Sequence, residues 1–344
     1  MSRQPAVWFP TIRCGTGTDV FTVRLAEGLR KLGLRAEISW LPHRAEYAPW
    51  TVRIPKPPSW ANLVHINSWL HPRFVPKRLP LIVTVHHSIH DPAQRPYKNF
   101  PRHVYHRHWI RPIEGANMAR AEAVVAVSHF VAGQIRVLFG LRNVMVIHNG
   151  IDTDHVFTPY LRRPKPHRPF RLLYVGNWKT HKGVDLLKPI METLGSDFEL
   201  RYTADRAGAH VRYRLPANTR CLGRLEPPAL AQAYRDADAL LFPSRSEGLG
   251  LAVIEAMACG LPVIASSLPP VMEIITHERH GLLCQGQDVA AFCQAARRLR
   301  KDVELWKALR FAARQTAEKH FSLEKQVAAY CALYDRVLES SPFR

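Results

Sequence analysis

The sequence predicts an α/β protein built from two doubly wound, Rossmann-like domains. Three observations carry that expectation. Short apolar runs alternate with segments of helical period along both halves of the chain. Small-residue loops follow strand-like runs, where open parallel sheets bind ligands. Between the halves, Thr158 to Pro169 (TPYLRRPKPHRP) is rich in proline and arginine and has no period, which reads as a linker. The expected division is 1–160, 161–321 and a closing helix over 322–344. A chain of 344 residues with 47% hydrophobic content can fill two ordinary cores.

In the first half the expected strands are Ala6–Phe9, Ala36–Trp40, Leu63–Ile66, Leu81–Val85, Val124–Val127 and Val144–Ile147. Helices fit Val20–Lys31 and Ser128–Leu138, with Ser128 as a cap whose hydroxyl can take a free N–H. Asn149-Gly150 is a turn signal. The second half repeats the logic. A strand over Leu172–Val175 leads to a helix from Gly183, a strand over Glu199–Tyr202 and a helix after Pro227. Ala237–Phe242 is a buried strand ended by Pro243, and Cys259-Gly260 stops a helix before another short strand. Amphipathic helices are expected at about 289–299, 303–319 and 323–338.

Composition narrows the function. Residues 1–160 carry 20 Lys+Arg against 9 Asp+Glu, and residues 161–180 add six Lys/Arg and no acid. Most of the formal charge of +20 therefore lies in the first half and the linker, which suits an anionic partner: nucleic acid, lipid or glycan. Ala6–Phe9 is too short for a secretory apolar region. The run from Leu251 to Met272 holds Glu255, Gly260 and three prolines, so it reads as helix, turn and strand rather than a membrane span. Six scattered cysteines without metal-type spacing imply reduced thiols in a cytosolic protein.

The most informative stretch is Ser244 to Ala258 (SRSEGLGLAVIEAMA). A polar loop carries Glu247 and runs through Gly248, Leu249, Gly250 and Leu251 into a helix carrying Glu255. A helix start beside glycines offers free N–H groups and a positive dipole end, which suits a diphosphate. A nearby carboxylate suits sugar hydroxyls. Three further loops follow strands: Cys14–Asp19 (CGTGTD), Thr84–His87 (TVHH) and Gly176–Gly183 (GNWKTHKG). The first lacks the third glycine of a dinucleotide fingerprint. Arg95 to Arg111 (RPYKNFPRHVYHRHWIR) interleaves five Lys/Arg and three His with Tyr97, Phe100, Tyr105 and Trp109. Such a segment suits an anionic bilayer surface or stacked RNA bases, besides an ordinary solvated face.

Pro243 to Pro262 resembles the E-x7-E block of the retaining glycosyltransferases of family 4, which have the GT-B fold, two Rossmann-like domains facing across a cleft. Leu249 stands where that family has an aromatic residue. The likeness extends to the glycine loop, with Gly17 in register, Thr16 replacing a glycine and Asp19 a glutamate. It includes His86 in the family's T-x-H-D element and Lys182-Gly183 in its KG element, where Asn177 occupies the position of an arginine. The resemblance implies transfer of a hexose from a UDP- or GDP-sugar to a cell-envelope glycan or lipid-linked acceptor, with retention and a front-face mechanism. His86, Glu247 and Lys182 would be catalytic. Gly17, Asn177, Arg224, Gly248, Leu249, Gly250, Leu251 and Glu255 would bind the donor, with no metal and no cofactor. The donor would bind the second domain and the acceptor the first, and the last helix would cross back to the first. The expected location is the inner face of the cell membrane, as a peripheral protein that makes lipopolysaccharide core or exopolysaccharide. Rival readings are another GT-B activity, such as a sugar-nucleotide epimerase, and a non-catalytic RNA- or polyanion-binding protein. Intact Glu247, Glu255 and Lys182 count against the last.

Overall fold

The structure is a computed structural model that describes residues 4–160, 164–204, 208 and 210–340. Residues 161–163 of the expected linker lie outside them. The chain forms two compact units, Met1–Gly150 with Leu323–Arg344, and Ile151–Ser322. The division thus falls at Gly150, ahead of the expected boundary at 160. Backbone and guanidinium hydrogen bonds explain the shift. Ile151 N–H donates to Phe321 O at 2.9 Å, and Arg314 donates to the carbonyls of Thr153, Phe157 and Ala258. These bonds fasten 151–158 to the second unit.

The first unit holds strands β1 (Ala6–Ile12), β2 (Arg35–Leu41), β3 (Leu63–Asn67), β4 (Leu81–Val85), β5 (Ala123–Ala126) and β6 (Met145–Val146). They form one parallel sheet in the order β2-β1-β3-β4-β5-β6. Strands β1, β3 and β4 are buried along their whole length, as sheets covered on both faces require. Its helices include α1 (Gly17–Lys31), α2 (Phe100–Tyr105), α3 (Arg111–Arg120) and α4 (His129–Phe139). Ser128 caps α4 as expected, its hydroxyl accepting from Val131 N–H at 3.1 Å.

The second unit holds β7 (Phe170–Tyr174), β8 (Phe198–Tyr202), β9 (Thr219–Cys221), β10 (Ala239–Phe242), β11 (Val263–Ser266) and β12 (Leu282–Cys284). Their order is β12-β11-β10-β7-β8-β9, again all parallel. Counted from β7, this is the 3-2-1-4-5-6 order of dinucleotide-binding sheets read from one side. The strand order reverses between β7 and β10. Helices α5 (Leu187–Leu194), α6 (Pro227–Asp236), α7 (Leu251–Ala258), α8 (Pro269–Met272), α9 (Val289–Lys301) and α10 (Val303–His320) complete this unit. The helix expected from Gly183 instead opens as two 3-10 turns, Thr180–Lys182 and Val184–Leu186, before α5.

The last helix, α11 (Leu323–Ser340), belongs to the first unit. Its Val327, Tyr330, Leu333, Tyr334 and Val337 join the core of β1, β3 and α1. His65 of β3 lies beneath it, with Nδ1 2.7 Å from Tyr334 Oη and Nε2 2.7 Å from Thr84 Oγ1. Thr84 Oγ1 is in turn 2.9 Å from Tyr330 Oη. Each buried polar atom in this cluster therefore has a partner, which makes the seat of α11 specific as well as apolar.

The basic aromatic segment 95–111 is only partly a free surface. It runs through α2 into a π turn, His106–Ile110, and on into α3. Tyr105 donates to Glu46 Oε1 at 3.1 Å, and Trp109 Nε1 to the Glu46 carbonyl at 2.8 Å. Lys98 is hydrogen-bonded to the Ile89 carbonyl, and Arg111 to that of Leu138. Arg95, Arg102, Arg107 and Phe100 remain exposed, with Phe100 79% accessible.

Candidate active site

In the second unit, the reversal between β7 and β10 sets the loops after these strands side by side. Both loops carry chemistry. The Lys179–Gly183 turn is laced to the 244–247 loop by Arg245 N–H to His181 O at 2.9 Å and Arg245 Nη1 to Thr180 O at 2.6 Å. Arg245 also grips both oxygens of Asp185, at 2.6 and 2.7 Å. Burial works to raise the Asp185 carboxyl, but its hydrogen bonds from Arg245 and its own backbone, with the Arg245 charge, hold it below the usual carboxylate range. Gly183 permits the closest approach. Its φ is +71°, and a Cβ there would lie 1.9 Å from the Pro243 carbonyl oxygen.

The consequence is an ion pair between residues far apart in sequence: Lys182 Nζ lies 2.7 Å from Glu247 Oε1. Glu247 is buried, while Lys182 keeps 24% of its side chain accessible. The loop then enters α7 through Gly250, at φ +102°. Val253 and Ile254 N–H both turn back to Gly250 O. The N–H groups of Leu251 and Ala252 precede the first helical bond, so they are the donors available at this helix end. Leu249 is 2% accessible, so its side chain serves the core and only its backbone can serve a ligand.

Glu255, one turn into α7, is buried too, and its Oε2 accepts from Tyr234 Oη of α6 at 3.2 Å. Asn177 has an exposed side chain, while its carbonyl accepts from Tyr174 Oη at 3.1 Å. Burial, and after it the charge of Glu247, pushes the Tyr174 phenol well above its ordinary range, so it stays a neutral donor. Arg224 stands on the surface, 59% accessible, with Nε 3.8 Å from Glu226 Oε1. The structure thus brings Lys182, Glu247 and the start of α7 into one neighbourhood and leaves Arg224 outside that hydrogen-bonded lattice.

In the first unit the order reverses between β1 and β3. A chain of polar side chains crosses the carboxyl ends of three strands there. Asn67 of β3 donates to Thr11 Oγ1 of β1 at 2.9 Å, and its Oδ1 lies 2.9 Å from Nε2 of His86, just past β4. An amide oxygen only accepts, so His86 carries its proton on Nε2 and leaves Nδ1 as an acceptor. Phe21 of α1 packs edge-on against the His86 ring at 4.4 Å. Burial holds this imidazole down at about 3, so it is neutral at physiological pH. Gly17 opens α1, and the Asp19 carboxylate turns back to accept from Cys14 N–H at 3.0 Å and Gly15 N–H at 2.8 Å. Asn67 and Thr11 were not singled out from the sequence. Their signal is two polar residues near the carboxyl ends of mostly apolar strands.

Residues 169–302 match the family described as Glycosyl transferases group 1, and residues 58–155 match Glycosyltransferase Family 4. The chain is a GT-B glycosyltransferase. It is 25% identical, over 360 aligned residues, to glycogen synthase of Mycobacterium tuberculosis (strain CDC 1551 / Oshkosh), with 94% of this chain and 84% of that protein covered. It is 31% identical to D-inositol 3-phosphate glycosyltransferase 1 of Catenulispora acidiphila over 66% of this chain, and spans 60% of that protein's length. Among solved structures, sucrose-phosphate synthase from Thermosynechococcus elongatus superposes with a TM-score of 0.78 at 20% identity, covering 98% of this chain and all of the other. HepE from Anabaena, solved with UDP and glucose, gives 0.73 at 15% identity, over 97% of this chain and all of the other. For a glycosyltransferase, the Lys182–Glu247 pair beside a glycine-opened helix is a cation and N–H donors placed together, which can stabilise charge growing on a leaving phosphate. No helix among the described residues is long and apolar enough to cross a membrane.

Proposed function

We propose that the enzyme moves a hexose from a UDP- or GDP-sugar, with retention and without a metal, to a glycan or lipid-linked acceptor of the cell envelope. The observation that carries this reading is the Lys182–Glu247 pair at the reversal point of the second sheet, next to the start of α7. The donor diphosphate would sit against Lys182 and the N–H groups of Leu251 and Ala252. Glu247 would hold sugar hydroxyls and Glu255 the ribose. Asn177 leaves one fixed charge fewer at the diphosphate than the family pattern has, so Lys182 bears more of the task. His86, neutral and offering Nδ1, suits a contact to the transferred sugar rather than to phosphate.

In a front-face step the acceptor oxygen attacks the anomeric carbon on the side from which the diphosphate departs. The departing phosphate oxygen takes the acceptor's proton. Two glutamates that share a loop and the following helix do not need to flank the sugar ring, as a double-displacement pair about 5 Å apart must. The sucrose-phosphate and glycogen synthases named above are similar proteins, and HepE was solved with UDP and glucose; these support a nucleotide-sugar donor.

The acceptor class rests on charge. Arg95, Arg102 and Arg107 are exposed together with Phe100. At about 1 kcal/mol per basic residue near an anionic leaflet, three give weak, reversible docking at the cytoplasmic face. The deciding experiment is a nucleotide-sugar panel with anomeric configuration read by NMR, with and without EDTA. A single donor, a product of unchanged configuration and activity that survives EDTA are expected. An inverted product or turnover that requires added metal overturns the mechanism. Co-sedimentation with anionic and neutral vesicles tests the docking, and pelleting insensitive to lipid charge overturns it.

A further inference from the structure

Strands β1 and β2 run in register with Ile12 opposite Leu41, and Arg13 N–H donates to Leu41 O at 2.9 Å. Cys14 and His43 each stand two residues beyond that pair. His43 opens a single 3-10 turn, His43–Ala45, and Glu46 follows it. Nε2 of His43 lies 3.5 Å from Oε2 of Glu46. One donor atom each from Cys14, His43 and Glu46 fall within 4.8 Å of one another.

We propose that the Cys14 thiolate, the His43 imidazole and the Glu46 carboxylate bind one divalent cation of the zinc type, with a fourth position left for water. The donor set selects the metal. Thiolate with imidazole suits a borderline-soft ion, whereas magnesium and calcium take oxygen ligands. Donors around a tetrahedral zinc sit roughly 3.5 Å apart, given bond lengths of about 2.0–2.3 Å. His43 Nε2 and Glu46 Oε2 already stand at that spacing, and His43 is 63% accessible.

The surroundings already orient two of the ligands. Tyr105 donates to Glu46 Oε1, and Trp109 holds the Glu46 carbonyl. Asp19 fixes the backbone that carries the thiol, through the N–H groups of Cys14 and Gly15. Supports of this kind set ligand geometry in metal sites. Binding transfers the thiol proton to solvent and places the sulfur–metal bond in its stead. An occupied site would pin the 14–19 loop to the 43–46 turn and so stiffen the entry to α1.

The test uses the full chain, reduced and stripped with EDTA, titrated with Zn2+ by calorimetry and with Co2+ by absorbance. The parent should bind one equivalent of zinc, with a thiolate-to-cobalt charge-transfer band in the near ultraviolet and no competition from Mg2+. His43→Ala, at an exposed position, should fold normally and weaken zinc at least tenfold. Cys14→Ser should abolish the cobalt band, while Cys221→Ser, removing the exposed cysteine, should leave it in place. A parent that takes up no zinc, or His43→Ala and Cys14→Ser proteins that bind as the parent does, overturns the assignment.

Discussion

Each unit has a six-stranded parallel sheet with one reversal of strand order, but the two differ in a loop beside that reversal. In the second unit the loop after β10 enters α7 through Gly250, with backbone donors open at the helix start and a lysine paired to Glu247 alongside. In the first unit the loop after β1 folds on itself. Asp19 takes the N–H groups of Cys14 and Gly15, and the cation near the second site has no counterpart in the Thr11–Asn67–His86 chain. On the proposed reading the second loop would meet negative charge, while the Thr11–Asn67–His86 chain offers neutral polar groups. A sheet order therefore fixes where a ligand can bind, while the side chains of the loop decide which ligand that is.

The sharpest way to break this contrast is at Lys182. If it acts on growing phosphate charge, Lys182→Ala should lower kcat on the order of a hundredfold while the thermal midpoint changes little. Turnover within about twofold of the parent would remove the charge-stabilising role from the second loop. Asn177→Arg should raise donor affinity in the parent and recover part of the loss in the Lys182→Ala protein. Glu255→Ala should weaken UDP or GDP binding by about 1.5–3 kcal/mol, as expected for a buried carboxylate that holds hydroxyls. Unchanged nucleotide affinity in a folded variant would assign Glu255 to Tyr234 and the packing of α6 alone.

Gly183→Ala probes how the second loop is held. Its Cβ would meet the Pro243 carbonyl, and an alanine at φ +71° is strained in any case. A destabilisation of about 1–3 kcal/mol is expected, with donor affinity falling because Lys182 moves with the turn. A midpoint within a degree of the parent would mean that the lacing by Arg245 alone sets the loop.

How much of this could be read beforehand follows a physical line. Strands such as β4 and helices such as α1 and α4 were legible because apolar period and the Ser128 cap are local signals. The glycine-opened start of α7 was legible because its signal lies within one stretch of chain. The Lys182–Glu247 contact depends on strand order, which no short window encodes. The three-residue strands β9 and β12 are too short for any period. His65, one of a crowded set of histidines, looked no different from His86, yet it serves the seat of α11 through partners on that distant helix. The π turn at 106–110 turned Tyr105 and Trp109 toward Glu46, so aromatics that suggested a membrane face became packing.

Acid should act on the first unit through His65, which is buried, and His86, which is half-buried. Burial, aided for His65 by the neighbouring His86, holds both at about 3, against about 6.5 in an unfolded chain. Their folded values are lowered, so the unfolded state binds protons first. The stability they support is whole above pH 6.5 and is lost as pH falls from there toward 3. Each contributes at most roughly 1.4 kcal/mol per pH unit across that window. Urea midpoints at pH 7 and pH 5 should differ clearly in the parent and less in His65→Gln. An equal pH dependence in both would place the acid sensitivity elsewhere.

The smallest effect expected tests the first loop itself. Asp19 is the acidic residue of that loop, yet in the structure its carboxylate is spent on two backbone donors of its own turn. Because the loop is exposed, Asp19→Ala should cost only about 0.5–1.5 kcal/mol of stability. Donor KM should stay within about threefold if the carboxylate is a brace and nothing more. Asp19→Asn separates charge from geometry, since its amide oxygen can still accept from Gly15 N–H. If both variants keep KM, the two loops differ as described, one closed on itself and one open to phosphate. If Asp19→Ala raises KM tenfold while Asp19→Asn restores it, the loop's shape reaches the donor and the contrast between the units narrows to charge alone. If neither variant binds donor, the first loop contacts the ligand directly through its carboxylate, and the division of labour argued from the two reversal points fails.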